Sequence, residues 1–247
     1  MAQRVYLVST LFFTVAALMA GCNAKPDAQA MFKQADAAIA AGKFSEASLH
    51  LKNILQANPN DGAARLKLAT ISLQSGDFST AESEVKRALE LGVAQEQGAP
   101  VLLESIAMQF DQARVVSEVS NLKAGSTGLQ ALSALYAGNA QLSLGDADKA
   151  QLNFEKALQL KPDYVAAKVG LLAVRLLNPQ DRNAAKTAIY ELAKQSPNEY
   201  ELQSLLAKVL GLDGKIAQAN EVLLKSLVTK HLMRFMPKKS IKLRVIR

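Results

Sequence analysis

The only thiol in the chain, Cys22, directly follows Ala20 and Gly21. A thiolate is the one side chain here that could become a covalent attachment point. Little else invites chemistry. The two histidines, His50 and His231, are far apart and lack the second histidine or cysteine that a metal site needs. Lys123 to Gly128 (KAGSTG) contains lysine and glycines, but not in the order of a phosphate loop, and it follows no strand. No serine and histidine share the elbow context of a hydrolase. The carboxylates alternate with Lys and Gln on helix faces, with no carboxylate pair in a non-repeat insertion such as glycan hydrolysis would use. No catalytic group, metal, cofactor or small-molecule substrate is therefore expected.

The formal charge of +7 resembles that of a nucleic-acid binder until it is located. Seven of the 29 basic residues (Lys230, Arg234, Lys238, Lys239, Lys242, Arg244 and Arg247) fall in residues 230–247, which contain no acid. The remainder balances its 22 acidic residues, so no basic nucleic-acid face is implied. The tail KHLMRFMPKKSIKLRVIR carries no repeat marks, and its abrupt composition suggests the end of a truncated or frameshifted reading frame. A basic membrane-contact tail is the rival reading.

At the other end, Arg4 precedes the uncharged run Val5–Ala20, then Gly21 and Cys22. Charge, apolar core and small-residue exit make residues 1–21 a signal peptide, the core being slightly short for a membrane span. With Cys22 next, the segment resembles the bacterial lipoprotein signal, although Met19 stands where leucine is usual. The resemblance implies acylation of Cys22, with residues 22–27 as a lipidated tether. Asn23, rather than Asp, follows the cysteine and favours the outer membrane facing the periplasm of a Gram-negative bacterium. A single cysteine excludes intrachain disulfides, so packing alone must hold the body together.

The elements of that body are read from its spacing. One interval, about 34 residues long, separates Gly42 from Gly76, Phe44 from Phe78, Ala47 from Ala81 and Ala185 from Ala219. Gly145 follows Gly76 by about twice that interval, and Gly214 follows Gly145 likewise, so further repeats lie between. The stretch 130–164 shows the unit. Leu135, Gly138 and Leu142 share one helix face, Gly145 ends that helix, and Asp146 caps the next. Ala150, Phe154, Ala157 and Leu158 form its stripe, and Pro162 stops it. The small residues Gly138 and Ala150 are expected to lie against each other. Ser79 and Glu82 have capping-box spacing. Phe110 and Ala113 keep the spacing of Phe78 and Ala81, with no turn glycine before them. Residues 124–128 read as a loop.

This grammar resembles the tetratricopeptide repeat. It implies an all-α superhelix of about six helical hairpins over 28–229, with repeats at about 28–61, 62–96, 97–130, 131–164, 165–198 and 199–229, before the tail 230–247. By the same resemblance, partner proteins bind the concave face, where the ninth repeat position holds Asp36, Thr70, Asn139, Ala173 and Lys208. Of these only Asn139 matches the pattern that clamps a C-terminal carboxylate, so that specialised mode is not expected. The join KRALELGVAQEQGAPVLLESIAMQFDQARVVSEV and the signal together resemble the repeat lipoprotein of the PEP-CTERM/exosortase system. That family implies a periplasmic scaffold beside exopolysaccharide export and protein sorting. A type IV pilus assembly lipoprotein is the alternative scaffold, and an accessory glycan-modifying enzyme the alternative of another class.

Overall fold

The computed structural model describes residues 27–123 and 125–235; Cys22, the signal segment and residues 236–247 lie outside them. Twelve helices follow one another: α1 (Ala28–Ala40), α2 (Phe44–Ala57), α3 (Gly62–Ser75), α4 (Phe78–Glu90), α5 (Gln95–Ala107), α6 (Gln112–Asn121), α7 (Thr127–Ser143), α8 (Ala147–Leu160), α9 (Val165–Leu177), α10 (Arg182–Gln195), α11 (Tyr200–Leu212) and α12 (Ile216–Phe235). They pair into six antiparallel hairpins, and no strand occurs among the described residues.

Local chemistry sets where the helices begin and end. Short polar side chains accept from the free N–H groups of six helix starts: Asp27, Asp61, Asp77, Asp111, Ser126 and Asp146. In four of the six hairpins the chain reverses through a left-handed glycine, Gly42, Gly76, Gly145 or Gly214, at φ between 72° and 85°. The third hairpin uses Phe110 there instead, at φ 61°. The aromatic-spacing register is thereby corrected. Phe110 lies one repeat interval after Gly76 and takes its place, and Val115, not Ala113, takes the buried place of Ala81.

Other expectations also shift. Ser79 does not cap α4; Asp77 does, accepting from Thr80 N at 3.1 Å, while Glu82 is engaged elsewhere. The repeat boundaries at 96/97 and 130/131 fall inside α5 and α7, because Ala94 and Ser126 start those helices early. Thr127 and Gly128 are thus helical rather than loop. The boundary at 229/230 falls inside α12, which runs unbroken to Phe235.

Alanine and leucine stripes close each hairpin. Ala47, Leu51 and Ile54 of α2 pack with Ala35, Ala38, Leu68 and Ile71 of α1 and α3. The fourth hairpin departs from expectation. The nearest atoms to a methyl group at Gly138 would be those of the Phe154 ring, from 2.6 Å, and not Ala150. Gly170 on α9 meets the same ring atoms, from 2.4 Å. Phe154, Ala150 and Ala157 are all fully buried. The two glycines give the largest core side chain its space.

Candidate protein-binding surface

Successive first helices touch one another: α3 with α5, α5 with α7, α7 with α9 and α9 with α11. Second helices make their main contacts only with the first helices of their own and the following hairpin. A stack that is tighter on one side curves toward it, so the first helices line the inner face.

The positions expected to bind lie along these helices but do not form one group. Asp36 on α1 is tied to Lys67 on α3, Nζ to Oδ1 at 2.6 Å, which links neighbouring first helices. Thr70 donates to its own helix, Oγ1 to the Leu66 carbonyl at 2.8 Å. Asn139 on α7 and Lys208 on α11 are exposed, and Ala173 on α9 is half-buried.

What the inner face does bring together is a set that repeat register missed. A cavity of about 310 Å³ opens between α5, α7 and the loop before α9. Glu96 and Pro100 form one wall, Leu129 and Leu132 the floor, and Lys161 and Tyr164 the opposite wall. Pro100 sits inside α5 and offers no N–H to the Glu96 carbonyl one turn back. The Glu96 carboxylate accepts from Ser126 N at 3.3 Å, fastening the start of α7 to α5. Lys161 Nζ lies 4.7 Å from the centre of the Tyr164 ring, over its electron-rich face.

One turn beyond Leu132, Tyr136 packs against Leu102 and Ile106 of the neighbouring hairpin. Burial pushes its hydroxyl well above the usual tyrosine range, and the charges of Glu104 and Glu201 push the same way. The two glutamates belong to α5 and α11. Tyr164 is shifted upward as well, by burial. Both phenols stay protonated at neutral pH and can donate hydrogen bonds.

Apolar floor, aromatic walls and peripheral carboxylates suit recognition of extended side chains. The described residues contain no group of three or more potential metal-ligating side chains. No helix among them is long and apolar enough to cross a membrane.

Residues 38–99 match the family model of the tetratricopeptide repeat. A tetratricopeptide repeat protein from Parabacteroides merdae superposes with a TM-score of 0.63 at 16% identity, over 85% of this chain and 80% of that one. Human IFIT1, solved as a dimer with PPP-AAAA, gives 0.53 at 16% identity, over 78% of this chain and 49% of that one. No curated protein matches the sequence significantly. With six stacked hairpins, a turn residue recurring at one fixed interval and these likenesses, the fold is that of a tetratricopeptide-repeat solenoid.

Proposed function

We propose that the chain is a non-enzymatic scaffold that holds partner proteins on its inner face. It would be tethered to the outer membrane through acylated Cys22 and work within the PEP-CTERM/exosortase exopolysaccharide and sorting system. The observation that supports the binding role is the open cavity lined by Glu96, Leu129, Leu132, Lys161 and Tyr164. Such a site offers a partner an aromatic ring, aliphatic side chains and one carboxylate, a composition suited to binding. The tether and the system rest on the signal-like segment and the join after the second repeat. Acylation would raise the scaffold's effective concentration at the membrane surface.

A photo-crosslinking amino acid placed at Asn139 (inner face), or at Leu152 on the exposed side of α8, tests the reading in exopolysaccharide-producing cells. Crosslinks from Asn139 to export or sorting components, lost in Tyr136→Ala and absent from Leu152, are expected. Equal products from both positions would overturn the inner face as the site. Cys22→Ser should remove the acyl mass from the N-terminal peptide and release protein from membranes; an unmodified cysteine in the wild type would sink the tether. Gene deletion should reduce polysaccharide output, and loss of pili with normal polysaccharide would replace the system with pilus assembly.

A further inference from the structure

Outer grooves run between successive second helices, each floored by the first helix between them. Charges close the groove between α4 and α6. Arg114 and Lys86 both meet the Glu82 carboxylate, and Lys86 also lies 3.4 Å from Glu118. The next groove, between α6 and α8 over α7, carries different residues at the corresponding places. Val116 and Ser120 stand for Glu82 and Lys86, while Lys149 and Asn153 stand for Arg114 and Glu118. No ion pair spans this groove among the described residues. In addition α6 has only 10 residues, the shortest of the twelve helices, so one end of the groove stays uncovered.

The opening is a cavity of about 260 Å³, lined among others by Leu122, Lys123, Leu129, Ser133, Asn153 and Lys156. Among the described residues neither Lys123 nor Lys156 pairs with a carboxylate, and the Ser133 hydroxyl makes no hydrogen bond. Asn153 donates to the Lys149 carbonyl at 2.9 Å and keeps a second amide hydrogen. Two lysines, a serine and an asparagine thus line one hollow together with Leu122 and Leu129. Many of the other basic side chains on the solenoid are already satisfied, as in the pairs Arg65–Glu84 and Lys186–Asp213.

We propose that this cavity is a binding site for an oxyanion, a phosphate monoester or carboxylate carried on a small body with an apolar face. The lysines would give the oxyanion charge-assisted hydrogen bonds, and Leu122 and Leu129 would cover the rest of the ligand. The cavity shares Leu129 with the hollow beside Glu96 and Tyr164, but its polar lining, Lys123, Ser133, Asn153 and Lys156, is its own.

Titration calorimetry on the full chain in neutral detergent at low ionic strength tests it, with glucose 6-phosphate, glucuronate and uncharged glucose as probes. Saturable binding of at least one anion, and none of glucose, is expected. Binding of the phosphate alone assigns the phosphate source, and binding of glucuronate alone the carboxylate source. Lys156→Gln should weaken binding about tenfold, the worth of one charge-assisted hydrogen bond. Asn153→Glu should abolish it by placing a carboxylate where Glu118 stands one repeat earlier. Unchanged circular-dichroism melting would show that both variants fold. If neither anion saturates the wild type, or affinity survives both substitutions, the site is wrongly assigned.

Discussion

A buried ring pressed against two glycines leaves no room for a methyl group at either. Gly138→Ala and Gly170→Ala each gain about 1 kcal/mol of helix propensity but must push the fully buried Phe154 ring. Overpacking of this kind costs about 1–3 kcal/mol, so both substitutions should lower the urea midpoint. Combining either with Phe154→Leu should restore part of the loss, because the residues are in contact. Phe110 presents the opposite case. It is 84% exposed and held at φ 61°, a conformation that costs a residue with a Cβ about 1–2 kcal/mol. Little burial opposes its removal. Phe110→Gly should therefore raise stability by about 0.5–1 kcal/mol in thermal melts, after the extra chain entropy of glycine is counted. Position alone was enough to place Phe110 in the turn, since it lies one repeat interval after Gly76. The aromatic type pointed elsewhere, toward Phe78, because side chains that pack are usually the better guide. Here the turn geometry overrode the residue's own preference.

Between elements, the join of α4 to α6 depends on Glu82. Burial would raise this carboxyl, but hydrogen bonds from Lys86, Gln109 and Arg114 together outweigh it and hold the pKa down at about 2. The unfolded chain binds that proton near the ordinary value of about 4.5. The contribution is thus complete above pH 4.5 and disappears as pH falls toward 2. Lys86 and Arg114 are about 40% exposed, at 41% and 42%, so solvent reduces it to about 1–2 kcal/mol. Urea midpoints at pH 7 and pH 3 should differ clearly in the wild type and much less in Glu82→Gln. The same elements mark what could be read from sequence. Helix number and pairing followed from the repeat interval and the turn glycines. The starts of α5 and α7 did not, because their caps, Ala94 and Ser126, lack the aspartate found at most other starts. Tyr136, Glu104 and Glu201 carry no pattern within any one helix. Their relative placement depends on how far each hairpin is rotated against the next, and no single-helix periodicity encodes that rotation.

At the scale of the whole molecule, stability is a sum of hairpins and the interfaces between them. With one cysteine in the chain, no intrachain crosslink ties distant repeats together. Phe154 is therefore more than a filled space. It belongs to the fourth hairpin, yet its ring lies directly against Gly170 of the fifth. When such a solenoid is pulled from its two ends, as a tethered protein gripping a distant partner would be, tension travels from interface to interface. Because the Phe154 ring lies against glycines of both hairpins, parting the fourth from the fifth must withdraw it from one of them. The middle of the array would thus act as a fuse with a sharp breaking load, guarding the adjoining Tyr136 surface until that load is reached.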